Sequence, residues 1–209
     1  MDRPELVGVD LFRLDGRVAV VTGAGRRLGR TMALALAAAG ADVVVSARST
    51  PEIESAADEI RALGRRALAV QADCTVEEDC ERLASAAVQE LGRVDILVNN
   101  AGINVRKPIL ELTLEEYRRV LATNLEGYFL AARAVGRTLV EQGSGKVINI
   151  SSIMGQVALP SQAAYASSKG GIEQLTKVMA LEWAPRSSGD RAGADVLRNR
   201  AHAAVVQRP

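Results

Sequence analysis

Two side chains in the last quarter of the sequence could exchange a proton with a carbonyl or an alcohol. Tyr165 and Lys169 are four residues apart, so on a helix they lie on one face, a single turn from each other. An ammonium group this close to a phenol favours the phenolate, which lowers a phenol pKa that is ordinarily about 10. Ser152, at the end of an apolar run, could hold a substrate oxygen. The three residues predict a proton-transfer site, although a solvated Tyr–Lys pair would show the same spacing.

The segments that must position these residues alternate between short β-branched runs and longer helical patterns. Strands are predicted over residues 18–22, 43–46, 67–70, 96–99 and 146–150. Helices are predicted from about Leu28 to Ala39, from Thr50 to near Gly64, from Val76 to Leu91, from Leu114 to Glu141, and around Tyr165 to about Trp183. Continuously apolar strands separated by helices indicate an α/β fold, a doubly wound parallel sheet with helices on both faces.

Composition narrows the functional class. The 209 residues suit one domain, and 26 basic against 25 acidic residues give a net charge of +1, which indicates no nucleic-acid partner. Cys74 and Cys80 have neither metal-binding nor disulfide spacing. The first residues lack the apolar core of a signal peptide, and no apolar run has membrane-spanning length. We therefore expect a soluble cytoplasmic protein with no membrane partner and no metal.

A glycine-rich turn joins the first strand to the first helix. Gly23, Gly25 and Gly29 would let backbone N–H groups and the helix N-terminus approach a pyrophosphate, although a purely structural turn is the alternative. Their spacing is one residue longer than G-x-G-x-x-G.

The end of the second strand indicates which dinucleotide would bind there. Ser46 and Ala47 stand where an NAD site would have an acidic residue, and Arg48 follows them. Arg48 and Arg26 would suit a 2′-phosphate, so the sequence favours NADP(H), with NAD(H) possible. Solvated surface arginines are the competing interpretation.

From about Leu11 to Pro185 the sequence resembles the short-chain dehydrogenase/reductase family. Thr22 to Gly29 is similar to the family's T-G-x-x-x-G-x-G loop, except that Arg27 replaces the middle glycine. Asn99 to Gly102 matches its N-N-A-G motif, and Tyr165 with Lys169 matches its Y-x-x-x-K pair. The resemblance implies a Rossmann-like fold.

The resemblance also implies roles for individual residues. Tyr165 would be the general acid and base, Lys169 would lower its pKa and bind the nicotinamide ribose, Ser152 would hold the substrate oxygen, and Asn124 would hold a relay water. Asp73 would contact the adenine. The residues expected to contact the cofactor are Gly23, Gly25, Arg26, Arg27, Leu28, Gly29, Arg48, Asp73, Cys74, Asn100, Ala101, Gly102, Tyr165 and Lys169.

The function implied is an NADP(H)-dependent oxidoreductase that interconverts a hydroxyl and a keto group on a small polar substrate, in a homodimer or homotetramer. Within the family the chain is similar to the gluconate 5-dehydrogenase branch and to the 3-oxoacyl-carrier-protein reductases. One alternative is a truncated, catalytically impaired remnant that only binds cofactor. An epimerase or dehydratase is a third possibility, but such relatives usually have a shorter glycine spacing and a longer substrate domain.

The resemblance ends after Pro185, where the family continues with a sixth strand, a Pro-Gly turn, a helix pair and a seventh strand. Residues 186–209 are instead rich in Arg, Ala and Gly. We expect an incomplete domain over 1–185 that lacks its C-terminal strands, followed by a poorly ordered tail, with at best a marginal helix from Ala194 to Val206 and an uncovered sheet edge. An out-of-frame tail would explain this composition, and a natural, divergent C-terminus is the alternative.

Overall fold

The five predicted strands form one parallel sheet. In the computed structural model, which describes residues 8–183 and the backbone of 202–207, the strands pair in the order β3-β2-β1-β4-β5-β6. The strands are β1 (Val18–Thr22), β2 (Asp42–Ala47), β3 (Ala67–Gln71), β4 (Ile96–Asn99), β5 (Ser144–Asn149) and β6 (His202–Gln207). β1 to β5 all pair in parallel. The predicted α/β class is therefore confirmed.

Helices cover both faces of this sheet, as the continuously apolar strands predict. They are α1 (Arg27–Ala38), α2 (Thr50–Ala62), α3 (Glu77–Leu91), α4 (Leu114–Leu121), α5 (Gly127–Gln142) and α6 (Ala163–Trp183). Alternate residues of β1 point to opposite faces. Val18 and Val20 pack in a core with α3, α5 and α6, whereas Ala19 and Val21 pack in a core with α1 and α2.

The long helix predicted from Leu114 to Glu141 is present but interrupted. α4 and α5 are joined by one turn of π-helix, Ala122–Glu126, which has Asn124 at its centre. π turns are rare and are frequently found at functional sites. The hydrophobic pattern gives no sign of this turn, since it is continuous across it.

β6 is a correction to the expectation for the C-terminal region. Residues 202–207 form a strand that pairs antiparallel to β5, from Ser144 opposite Gln207 to Asn149 opposite His202. The expected marginal helix to Val206 and the expected uncovered edge are therefore wrong over these residues. Tertiary pairing explains the difference, because an open β5 edge offers hydrogen bonds that an isolated helix could not match. The remainder of the expected tail lies outside the described residues.

Within the described part of the chain, no helix is long and apolar enough to cross a membrane.

Candidate active site

Polar side chains end four neighbouring strands at the carboxyl edge of the sheet. Thr22 ends β1 and Asn99 ends β4, while Ser46 lies near the end of β2 and Asn149 ends β5. The strand order reverses between β1 and β4, because the chain runs outward from β1 to β3 and then returns. Ligands of doubly wound sheets bind at such reversal points. The candidate site therefore lies above β1 and β4.

Two glycines of the turn between β1 and α1 are required by close packing. Gly23 has φ of +63°, and a Cβ there would lie 2.9 Å from Cα of Ala101. A Cβ on Gly29 would lie only 2.2 Å from the carbonyl oxygen of Gly23. The turn thus brings bare backbone against the end of β4, which a side chain at either position would prevent.

Hydrogen bonds between Thr22 and Asn100 fasten this turn to the segment after β4. The Thr22 hydroxyl oxygen accepts from the Asn100 backbone N–H at 3.0 Å and from the Ala101 N–H at 3.3 Å. The Asn100 side-chain amide donates to the carbonyls of Thr22 at 3.0 Å and Gly23 at 3.2 Å. The two sequence motifs therefore form one rigid wall.

A cleft of about 420 Å³ opens above this wall. Twelve of the residues expected to contact a cofactor line this cleft, and Tyr165 and Lys169 do not. The twelve are Gly23, Gly25, Arg26, Arg27, Leu28, Gly29, Arg48, Asp73, Cys74, Asn100, Ala101 and Gly102. Burial raises the pKa of the Cys74 thiol to about 11, so this side chain is neutral in the cleft wall.

Two carboxylates in the cleft face its arginines. Arg48 lies 3.8 Å from Asp73, and Arg26 lies 3.9 Å from Glu52. Glu52 also lines the cleft, and sequence reasoning missed it. A signal was present, because Glu52 is the acidic residue in the first turn of α2, whose N-terminus follows β2 at the same edge of the sheet.

The cleft fits a dinucleotide. The N-cap of α1, Arg26, makes no side-chain capping bond, and the first turn of α1 contains no acidic residue. The first N–H groups of a helix lack intrahelical acceptors and are suited to an anion, here a pyrophosphate. The glycine turn leaves room for this group, since no side chain projects from Gly23 or Gly29.

Tyr165 and Lys169 lie one turn apart on α6, as predicted. The Lys169 Nζ is 5.6 Å from the centre of the Tyr165 ring and donates a 2.6 Å hydrogen bond to the carbonyl of Ile150. Lys169 is only 4% exposed, and this burial lowers the pKa of its ammonium group to about 8. The helix thus holds a poorly hydrated cation beneath a half-buried phenol.

A second tyrosine flanks Lys169 from α5. The Lys169 Nζ lies 5.3 Å from the Tyr128 ring, and the Tyr128 hydroxyl donates to the same Ile150 carbonyl at 3.3 Å. Tyr128 is 1% exposed, and burial raises the pKa of its phenol. Tyr128 is therefore a structural neighbour of the lysine, and Tyr165 is the phenol of this pair that a substrate could reach.

Ser152 is placed beside α6 by a short 3-10 helix, Ile153–Gly155. Its Oγ accepts from the Met154 N–H at 3.2 Å, so its own hydrogen remains available to donate. Gly155 contacts α6 closely, because a Cβ there would lie 3.0 Å from the Lys169 carbonyl oxygen. Ser151 differs, since its hydroxyl donates to the Lys169 carbonyl at 3.4 Å.

Asn124 connects the loop after β4 with α6. Its side-chain oxygen accepts from the Ile103 N–H at 2.8 Å, and its amide donates to the Ile103 carbonyl at 2.9 Å and to Ser168 Oγ at 3.1 Å. Ser168 in turn donates to the Tyr165 carbonyl at 2.7 Å. The fully buried Asn124 side chain therefore holds the cleft wall and the Tyr165 turn in a fixed relation.

Comparison with known proteins agrees with this geometry. The family model for short chain dehydrogenases matches residues 17–187. A 3-oxoacyl-[acyl-carrier-protein] reductase from Synechocystis sp. is 41% identical over 174 residues, which are 83% of this chain and 70% of the relative.

Solved structures show the same similarity. A gluconate 5-dehydrogenase from Burkholderia cenocepacia, in complex with NADP and tartrate, has a TM-score of 0.80 and 38% identity over 84% of this chain and 69% of that chain. An NAD+-bound xylitol dehydrogenase has a TM-score of 0.79 and 34% identity over 80% of this chain and 65% of that chain. Family members thus bind either dinucleotide. With its glycine turn, N-N-A-G wall and Tyr165–Lys169 pair, this chain belongs to the short-chain dehydrogenase/reductase family.

Proposed function

We propose that this protein is an NADP(H)-dependent oxidoreductase that interconverts a hydroxyl and a keto group on a small polar substrate, with Tyr165 as the general acid and base. The observation that carries the proposal is the buried Lys169, whose Nζ lies 5.6 Å from the centre of the Tyr165 ring and donates to the Ile150 carbonyl directly after β5, at the same edge of the sheet as the cleft. Proteins bury a lysine at a cost in stability, so its retention beneath a reachable phenol favours a role in proton transfer.

The proton would move through Tyr165. In the reductive direction its hydroxyl donates to the substrate oxygen, and in the oxidative direction its phenolate takes the proton back. A bound nicotinamide would supply or accept the hydride at the substrate carbon. Lys169 would stabilise the negative charge on the Tyr165 oxygen, and burial strengthens this effect because few water molecules screen it.

Ser152 and Asn124 would support this proton transfer. The Ser152 hydroxyl already accepts from Met154, so it would meet a substrate oxygen as a donor. Asn124 would hold the turn that carries Tyr165 in place, since its side-chain amide is hydrogen-bonded to Ile103 and Ser168. Its part in holding a relay water stays a prediction, and its place in a π turn, a feature frequent at functional sites, supports it.

The preference for NADP(H) rests on the end of β2. Ser46 and Ala47 offer no carboxylate to the ribose hydroxyls, and Arg48 is 75% exposed at the cleft. Arg26, 71% exposed, lines the same cleft. Their carboxylate partners are at 3.8 and 3.9 Å, too long for strong charge-assisted hydrogen bonds, so a phosphate could displace them.

The substrate class rests on the names of the relatives. Two of the similar structures are a gluconate 5-dehydrogenase and a xylitol dehydrogenase, and both gluconate and xylitol are small, polyhydroxylated compounds. We therefore propose a small polar hydroxyl or keto compound as the substrate.

The oligomeric state and location are also proposals. Leu114, Phe129 and Val140 are large apolar residues exposed on α4 and α5, which supports self-association through this helix pair into a dimer or tetramer. Cys74 and Cys80 are both free thiols, which is consistent with the cytoplasm.

An assay across sugar keto acids and β-keto esters tests the function. We expect NADPH consumption with at least one sugar keto acid, and slower consumption with NADH. Binding of NADPH without turnover on any compound would instead support the cofactor-binding remnant. Equal turnover with NADH would contradict the cofactor preference alone.

A further inference from the structure

Arg27 adopts a backbone conformation that is unfavourable for an arginine. Its φ is 48°, in the left-handed region, where a side chain crowds the backbone and glycine does not. It begins α1 within the glycine turn, directly after the extended residue Arg26. Strained residues of this kind persist where the surrounding structure enforces them, and they concentrate at ligand-binding positions.

Arg27 also differs from the other arginines of the cleft in its charge environment. Arg26 has Glu52 within 4 Å, and Arg48 has Asp73. For Arg27, residues 8–183 provide no carboxylate within ion-pair distance, although its exposed side chain lines the same cleft. Its positive charge is thus the least neutralised of the three before a ligand arrives.

The position of Arg27 indicates which part of a dinucleotide it would meet. Arg48 follows β2, where the ribose of the adenosine half would lie. Arg27 instead stands at the N-terminus of α1, which has no side-chain cap and no acidic residue in its first turn. This end of the helix is suited to the pyrophosphate that NADP(H) and NAD(H) share.

We propose that Arg27 is a pyrophosphate-binding residue that strengthens the binding of both dinucleotides, whereas Arg48 discriminates between them. This inference rests on the proposed function, because it assumes a dinucleotide in the cleft. A guanidinium at the pyrophosphate would add a charge-assisted contact to those of the helix N–H groups. The strained backbone at Arg27 would then be the cost of placing its guanidinium at the pyrophosphate. A glycine there would give a more stable protein that binds the dinucleotide more weakly.

Calorimetric titration of the purified full chain tests this division of roles. The variants are Arg27→Gly, which removes both charge and strain, Arg27→Lys, which keeps the charge, and Arg48→Ala. The ligands are NADPH, NADH and 2′-AMP, which has the 2′-phosphate but no pyrophosphate. Arg61→Gln, on the exposed surface of α2, is the control for a general change in net charge.

We expect Arg27→Gly to lower the affinity for NADPH and for NADH by about tenfold each and to leave the affinity for 2′-AMP unchanged. Arg27→Lys should restore most of the lost affinity. Arg48→Ala should lower the affinity for NADPH and 2′-AMP but not for NADH. The ligand-free Arg27→Gly protein should melt at a higher temperature than the wild type, since its strain is relieved.

Two results would overturn the inference while leaving the proposed function intact. One is dissociation constants for Arg27→Gly within about twofold of the wild type for both dinucleotides, which is less than a single ionic contact contributes. The other is a loss confined to NADPH and 2′-AMP, which would place Arg27 at the 2′-phosphate. A wild-type protein that binds neither dinucleotide would instead refute the proposed function itself.

Discussion

Lys169 is a charged group in a place where a hydrocarbon would be more stable. The residue is 4% exposed, and its Nζ lies 5.3 Å from the centre of the Tyr128 ring and 5.6 Å from that of Tyr165 and donates to the Ile150 carbonyl. Burial lowers its pKa from 10.5 to about 8. A shift of this size corresponds to about 3 kcal/mol of lost stability for the charged form. The buried charge of Lys169 therefore lowers the stability of the folded protein.

Replacing this lysine should stabilise the protein and abolish its turnover. We expect Lys169→Met to raise the free energy of unfolding by about 1–3 kcal/mol near neutral pH, because the penalty for the buried charge disappears. The Ile150 carbonyl keeps Tyr128 as a donor, so no acceptor is orphaned. Urea unfolding of both proteins, with turnover measured in parallel, checks the result.

The pH dependence of that difference follows from the two pKa values. Below about pH 8 the lysine is charged in both states and the native state carries the full penalty. Between about 8 and 10.5 the native lysine loses its proton before the unfolded one, so wild-type stability rises with pH. The advantage of Lys169→Met should therefore shrink over this window. A constant difference from pH 7 to about pH 10 would show that burial does not set this lysine's charge.

The residues of the site differ in how far the sequence reveals them. Tyr165, Lys169 and Ser152 can be proposed from the sequence because their types and spacing, within one short segment, are typical of proton transfer. The pairing of Arg26 with Glu52 is not predictable in this way, because Arg26 lies in the turn before α1 and Glu52 lies in α2, and the two meet only after the sheet is assembled. The same holds for Tyr128, which α5 brings to Lys169 across the sheet end.

At the scale of elements, the turn between β1 and α1 depends on backbone contact. Gly29 lies in the first turn of α1, where a methyl group would be 2.2 Å from the Gly23 carbonyl oxygen. Alanine is otherwise favoured over glycine within helices by about 0.5–1 kcal/mol. The sign of a glycine-to-alanine change therefore reports whether close packing or helix propensity dominates.

Gly29→Ala and Gly170→Ala should change stability in opposite directions. Gly29→Ala should destabilise the protein by about 1–3 kcal/mol, because the added methyl group forces the turn apart, and should weaken dinucleotide binding. Gly170 lies within α6, where a methyl group would meet only the Gly155 oxygen at an ordinary 3.5 Å. Gly170→Ala should thus stabilise it slightly. Thermal melts of both variants measure this, and a stabilised Gly29→Ala would contradict the packing of the turn.

The π turn at Asn124 shows the limit of reading elements from periodicity. The apolar pattern predicts one helix from Leu114 to Glu141, and it cannot resolve one extra residue within a turn. The turn is stabilised by tertiary bonds from Asn124 to Ile103 and Ser168 instead. These partners lie 21 and 44 residues away, so no local signal marks the site.

At the scale of the whole molecule, the sheet was predictable where its strands are parallel and buried. Their apolar runs are continuous because helices cover both faces, and the intervening helices fix the strand directions. β6 was not predictable from the same logic. Residues 202–207 are not bounded by the turn residues that usually mark a strand, and their strand conformation depends on pairing with the open edge of β5.

Removing β6 should expose that edge. We expect a chain ending at residue 201 to aggregate more readily than the full chain, because the backbone groups of β5 from Ser144 to Asn149 would lose their partners. Light scattering at matched concentrations measures this, with a chain lacking only residues 208–209 as the control. Equal solubility and equal melting temperatures would show that the β5–β6 pairing contributes nothing to the fold.

The proposed role of Tyr165, transfer of the proton in an NADPH-dependent reaction, is tested most directly by measuring kcat for NADPH consumption by Tyr165→Phe and by Tyr128→Phe. Each change removes one hydroxyl from a ring that flanks Lys169, but Tyr128 is buried and Tyr165 is only half-buried, so only Tyr165 is within reach of a substrate. We expect Tyr165→Phe to lower kcat by about 10²–10⁴-fold, the range for a general acid, and Tyr128→Phe to change it only a few-fold. Near-normal turnover by Tyr165→Phe would contradict this role of Tyr165.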